Sequence, residues 1–229
     1  MSRVTTILEA IARDGRGIRL TDLAKLLGAP KSSVHGLTKG LVATGYLIEL
    51  DGTYTLGPAV GALLMRAQPT LLEAAQPAMV ELQQEWDETV ALCSLVGGSV
   101  VYVDLVESSQ ALRYSAPLRT RRPLYPTSAG KCFLAHMRES RVDAYLAAYS
   151  ARDRASIRAE LAEVRTRGVA YNRGETVPDV TALASPIMVA GRPVACLNVA
   201  GPTARMEGKL DGVTVSLQSV TQRAAQRLS

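Results

Sequence analysis

The chain has 229 residues, 47% of them hydrophobic and 21% charged, enough apolar material for one large domain or two small ones. Its apolar runs, such as Thr89 to Val96, fall short of the roughly 20 residues that cross a bilayer, and its N-terminus has no apolar h-region, so a cytoplasmic protein without membrane span or export signal is expected. The net charge of +5 permits a polyanionic partner without requiring one, the three cysteines lack CxxC spacing and fit a reducing compartment, and 4% aromatic content disfavours a base-stacking sheet.

Val4, Ile7, Leu8 and Ile11 recur at helical spacing and predict an amphipathic first helix that stops at Asp14-Gly15-Arg16-Gly17. Thr21 precedes a second helix with Leu23, Leu26 and Leu27 on one face, which Gly28 caps and Pro30 stops. The third helix, from Lys31 to about Thr44, is expected to bury Val34, Leu37, Leu41 and Val42 and to expose Lys31, Ser32, Ser33, His35 and Lys39. Residues 1–57 hold seven basic and five acidic side chains, yet no acid lies between Leu23 and Ile48. The cations of that window, with Ser32, Ser33 and Thr38, suit phosphate oxygens and base edges. Helix, tight turn and a polar, cationic second helix form the helix-turn-helix pattern, in which the second helix enters the major groove. Tyr46 to Leu50, the turn Asp51-Gly52 and Thr53 to Leu56 then predict a hairpin, the wing of a winged helix. Residues 1–57 thus read as a winged helix-turn-helix for double-stranded DNA, against the plainer alternative of a basic structural bundle.

Pro58 opens a connector, residues 58–76, whose stripe of Val60, Leu63, Leu64 and Ala67 packs either on its own chain or against a second copy. Leu71, Ala75, Met79, Leu82 and Trp86 carry the helical pattern past Pro77. From Thr89 the period changes. Thr89 to Val96 and Ser99 to Val106 form a hairpin around Gly97-Gly98, Leu112 to Ala116 reads as a third strand, and Ala182 to Val189 with Val194 to Ala200 form another hairpin. Helices are expected over Ser128 to Met137, Ile157 to Arg167 and Leu210 to Leu228. Residues 77–229 are therefore an α+β domain with an antiparallel sheet.

Cys132 and His136 are four apart on one predicted helix, the spacing at which a thiol and an imidazole can meet, so a thiol-dependent hydrolase is the rival reading. His35 is the only other histidine and there is no GxxxxGK[ST] loop, so no metal ion, cofactor or catalytic residue is expected. Pro123 to Lys131 places small residues at a helix start, whose free backbone N–H groups either hold a carboxylate or simply pack tightly. A second acid-free window, Ser108 to Arg138, holds Arg113, Arg119, Arg121, Arg122, Lys131 and Arg138, which either attract a small anion or form a solvated surface.

Leu23-Ala24 through Gly45-Tyr46-Leu47, Pro123-Leu124 through Gly130-Lys131-Cys132-Phe133-Leu134-Ala135, Arg167-Gly168-Val169-Ala170, Ala184-Ser185-Pro186-Ile187 and Val199-Ala200-Gly201-Pro202 span nearly the whole chain. In order and spacing they resemble the IclR-type transcription factors, winged-helix proteins with a GAF-like C-terminal effector domain. The resemblance implies a repressor or activator, a homodimer or homotetramer, whose operator binding a small-molecule effector, an organic acid, controls. It implies an effector site near Tyr114, Ser128 and Ala129, the segment Asn172 to Ala182 with Val180, and the strand bearing Asn198 and Ala200. The chain departs from the family pattern at Tyr125 (usually His), Arg173-Gly174 (usually acidic), Asp179 (usually Gly), and Asn198 and Ala200, where the family has two serines that bond acid ligands. The loss of those serines argues against a glyoxylate or pyruvate effector. Gly36 stands where the family usually has Arg, which removes a DNA contact and costs about 1 kcal/mol of helix propensity relative to Ala. The resemblance leaves a sensor with a weakened DNA reader as a further alternative.

Overall fold

The computed structural model describes residues 3–63 and 69–228, which fall into two compact units. The first contains α1 (Arg3–Asp14), β1 (Ile18–Arg19), α2 (Leu20–Leu27), α3 (Lys31–Ala43), β2 (Leu47–Leu50), β3 (Thr53–Leu56) and α4 (Pro58–Ala62). Ile7 and Ile11 of α1, Leu23 of α2, and Val34 and Leu41 of α3 meet Leu47 and Tyr54 of the hairpin in one core, as the apolar spacing predicts. The three strands run antiparallel in the order β1-β3-β2, so Ile18–Arg19, which the sequence did not signal, adds a third strand to the wing. Asp51 (φ 50°) and Gly52 (φ 72°) make the turn with positive φ at both central residues, the geometry that matches strand twist in a two-residue hairpin. Between α2 and α3, Gly28 is left-handed at φ 56°, and the N–H of Ala29 closes on Ala24 O at 3.1 Å.

The second unit opens with α5 (Leu71–Trp86), whose Thr70 and Glu73 form a reciprocal capping box. Within the span expected as a connector, α4 ends at Ala62, and residues 71–76 belong to α5, which carries its own cap. Leu64 and Ala67 of the connector stripe lie outside the described residues. Then follow β4 (Thr89–Val96), β5 (Ser99–Val106), β6 (Arg121–Arg122), α6 (Ser128–Ala135), α7 (Glu139–Leu146), α8 (Ala151–Arg167), β7 (Ala170–Arg173), β8 (Val180–Val189), β9 (Arg192–Pro202), α9 (Thr203–Met206) and, after a 3-10 turn, α10 (Leu210–Leu228).

The six strands form one antiparallel sheet in the order β6-β5-β4-β9-β8-β7. Along β4, Ala91 and Cys93 face a core shared with α6, α7 and α8, while Val90 and Leu92 face one shared with α5 and α10. Helices on both faces explain why the central strands read as unbroken apolar runs and not as alternation. At one end of the sheet, the buried Glu88 accepts from Arg205 (2.6 Å to each oxygen) and Lys209 (2.8 Å), tying the turn after β9 to the start of β4.

Leu112 to Ala116 is not a strand, which corrects the sequence expectation; β6 pairs with β5 instead, through Val100↔Arg122 and Val101↔Arg121. Local polar bonds compete with the ladder there. Asp87 accepts from Ser109 N–H (2.8 Å) and Gln110 Nε2 (2.7 Å), while Glu107 accepts from Ser115 (2.5 Å) and Arg113 (3.2 Å). The strand β7 and the short helix α7, both with weak apolar periodicity, were not anticipated.

Candidate functional site

Two places bring the predicted functional residues together, one in each unit. On α3, Lys31, Ser32, Ser33 and Lys39 are exposed and His35 is half-buried. Pro30 precedes the helix and offers no side-chain cap, so its first backbone N–H groups receive no acceptor from a capping side chain. Thr38, which the sequence grouped with the phosphate-facing hydroxyls, turns inward: it is fully buried and donates to His35 O at 3.1 Å. Gly36 lies on the exposed side, and a Cβ built there would meet nothing within 4 Å. The hairpin strands β2 and β3 carry Glu49 and no Lys or Arg, whereas the paired strand β1 carries the exposed Arg19, the one cationic side chain of the wing strands.

The second place is a cavity in the second unit, beside the start of α6. It encloses ≈ 310 Å³ of unfilled space, its open mouth included. Tyr114, Ser128, Asn172, Val180 and Ala182, all expected from the family resemblance, line it. So do Thr176 and Val177, which fall within the expected segment Asn172 to Ala182, and Tyr102, Arg122 and Thr127, which were not expected as site residues. Ala129, Asn198 and Ala200 are buried and do not line it. Asn198 nonetheless acts on the wall, because its Oδ1 accepts the Ser128 hydroxyl at 2.8 Å; Ala200 pairs with Ala182 across the β8–β9 ladder.

The start of α6 is fixed from several sides. Thr127 is the N-cap, accepting from Gly130 N–H at 3.2 Å and donating to Leu124 O at 2.8 Å. Gly130 is required by close approach, since a Cβ there would overlap the Leu124 carbonyl. Lys131 is fully buried with its ammonium saturated: Glu160 at 2.6 Å, Glu175 at 2.7 and 2.8 Å, and Tyr171 O at 2.9 Å. The Tyr125 ring lies 5.3 Å from that ammonium, and its hydroxyl donates to Glu160 at 3.1 Å. Burial first, then the Glu160 charge, push the Tyr125 phenol up, so it stays protonated as a donor. Arg122 is the opposite case. It lines the cavity with its guanidinium 5.0 Å from the Tyr102 ring, and its Nε is buried with no hydrogen-bond partner.

The thiol and imidazole of the rival reading do not meet. Cys132 is fully buried and donates to Ala184 O at 3.1 Å, while His136 Nδ1 sits 3.0 Å from the Cys132 carbonyl. Burial pushes the Cys93 and Cys196 thiols up, away from the thiolate that nucleophilic chemistry needs. Among the described residues no cluster of three or more His, Cys, Asp or Glu could hold a metal ion, and no helix is long and apolar enough to cross a membrane.

Comparison with known proteins joins the two places. The IclR helix-turn-helix domain matches residues 1–50, and the bacterial transcriptional regulator IclR C-terminal domain matches residues 66–229. The chain belongs to the IclR family of transcriptional regulators. Among its IclR relatives are the HTH-type regulators TtgV of Pseudomonas putida (30% identical, covering 81% of this chain and 74% of that one) and BhcR of Paracoccus denitrificans (30%, 100% and 85%). The transcriptional repressor IclR of Escherichia coli is 28% identical over 90% of this chain and 81% of its own. A solved structure assigned as an IclR regulator from a Silicibacter species superposes with a TM-score of 0.82 at 30% identity, covering 98% and 96% of the two chains. An IclR homologue from Microbacterium hydrocarbonoxydans, complexed with 4-hydroxybenzoate, shares the fold with a TM-score of 0.79 at 23% identity and 99% and 97% coverage.

Proposed function

We propose that this IclR regulator binds a pseudo-palindromic operator as a homodimer or dimer of dimers in the cytoplasm, and that a small organic acid seated in the cavity controls that binding. Residues 1–57 read the DNA: Lys31, Ser32, Ser33, His35 and Lys39 of α3 face the major groove, and the uncapped helix start adds backbone donors to a phosphate. Residues 77–229 bind the effector at Tyr114, Ser128, Asn172, Val180 and Ala182, while Ala129, Asn198 and Ala200 shape the wall from behind. No residue is assigned a catalytic role, because the candidate thiol and imidazole point to different partners.

The observation that carries the reading is a cavity at a helix start, lined by an arginine, in a chain that also presents an exposed cationic recognition helix. The complex of the Microbacterium hydrocarbonoxydans homologue with 4-hydroxybenzoate supports an acid as the ligand class. Symmetry of a dimer requires two half-sites spaced by whole helical turns. Selection from random double-stranded DNA, followed by gel shifts of the recovered sequence against competitor DNA, tests the reading. A symmetric site bound in preference to competitor is expected, and equal binding of both overturns it.

A further inference from the structure

We infer that Arg122 is the specificity-determining residue of the cavity, and that it selects a compact monocarboxylate; this rests on the reading of the cavity as the effector site. Arg122 reaches the cavity from the edge strand β6, held in register by its ladder partner Val100. Its guanidinium packs on the Tyr102 ring, yet its Nε is buried without an acceptor. A partly buried guanidinium whose Nε is shielded from water with no acceptor is costly unless something else completes it. The cavity wall does not: its residues are aromatic, hydroxyl, amide or aliphatic, and none is an Asp or Glu. Two acids adjoin lining residues in sequence, and neither faces Arg122 from the wall: Glu175 is committed to Lys131, and Asp179 is not among the lining residues.

A carboxylate supplies what is missing, since its two oxygens match the Nε and Nη fork in plane and in charge. The α6 start on the same wall contributes backbone donors of the same sign. Arg122 is the one cation among the residues that line the cavity, which favours one negative charge over two. Val177, Val180 and Ala182 leave an apolar surface for the rest of the ligand, and ≈ 310 Å³ of unfilled space, mouth included, keeps that remainder compact.

The test is calorimetric titration of the full chain with acetate, propanoate and benzoate and with their neutral amides, using wild type, Arg122→Met, Arg122→Gln and Ala182→Phe. At least one of the acids is expected to bind wild type tenfold or more tighter than its amide, and both Arg122 variants should erase that difference. Their unliganded melting temperatures should match or exceed wild type; a fall would mark Arg122 as a structural residue and overturn the inference. Carboxylate binding undiminished in both Arg122 variants, or no binding of any acid, also overturns it. The underlying reading fails separately. Binding of a neutral amide that Ala182→Phe abolishes and the Arg122 variants leave intact keeps the cavity as the effector site and rejects Arg122, whereas binding unaffected by Ala182→Phe rejects the cavity itself.

Discussion

Two helices of this chain begin with similar residues and come to opposite uses. α3 opens with Lys31-Ser32-Ser33 and α6 with Ser128-Ala129-Gly130-Lys131. The first has no side-chain cap and its opening residues are exposed, whereas the second is capped by Thr127 and every residue from Ser128 to Ala135 is buried. Lys31 keeps its charge in solvent, available to phosphate. Lys131 spends its charge on two carboxylates and a carbonyl of its own chain. Residue type therefore does not decide whether a serine-and-lysine helix start binds a partner; the number of donors left unspent does. Arg122 shows the third case, a half-buried cation whose buried Nε the fold leaves without a partner.

The sharpest way to break this comparison is to remove the two lysines in turn. Lys131→Met leaves Glu160 and Glu175 facing each other without their cation, and should cost about 2–4 kcal/mol of unfolding free energy, a range discounted because both carboxylates are about a third exposed. A loss below about 1 kcal/mol by denaturant titration would show that the network is not structural. Lys31→Ala should change stability by no more than about 0.5 kcal/mol, as an exposed substitution.

The two helices should also answer one substitution with opposite signs. Gly130→Ala drives a methyl into the Leu124 carbonyl and should destabilise by about 1–3 kcal/mol, while Gly36→Ala meets open space in a helix interior and should stabilise by about 1 kcal/mol. Thermal or denaturant midpoints of the two variants check this, and the same sign for both would contradict it.

The loop that follows β5 offers a pH test. Hydrogen bonds from Ser109 and Gln110 hold the Asp87 carboxyl at about 2, below its ordinary value near 3.8. A depressed folded value means that the stabilisation is present above pH 4 and is lost as pH falls from about 4 toward 2. Asp87→Asn should flatten that part of the acid-unfolding curve. The smallest effect is expected on α3, where Lys39→Ala should leave folding unchanged and lower the salt dependence of operator binding by about one unit of slope if Lys39 meets a phosphate.

How much of this was legible in the sequence depended on the range of the interactions. The reader was readable because Ile7, Ile11, Leu23, Val34 and Leu41 follow helical spacing, and Asp51-Gly52 dictates its own turn. Thr38 was misplaced because a polar residue at a core-facing position satisfies itself locally, on the His35 carbonyl, without any mark in the sequence. In the second unit, family resemblance named Tyr114, Ser128, Asn172, Val180 and Ala182 of the cavity lining, along with Ala129, Asn198 and Ala200, which do not line it. Arg122 was missed as a site residue although it stood in an acid-free window, since its place depends on β6 pairing with Val100 and Val101. Leu112 to Ala116 had the alternation of a strand and lost that edge to β6. The partners of Lys131 lie 29 and 44 residues away, on α8 and in the loop after β7, distances over which side-chain pairing leaves no local pattern.

The most direct test of the account is fluorescence anisotropy of the selected operator, titrated with wild type and Arg122→Met in the presence and absence of the tightest-binding acid at one salt concentration. The account predicts that the acid moves the wild-type midpoint by several-fold or more and leaves the Arg122→Met midpoint where it was, with both proteins binding the operator when no acid is present. Superimposable wild-type curves with and without acid would contradict it.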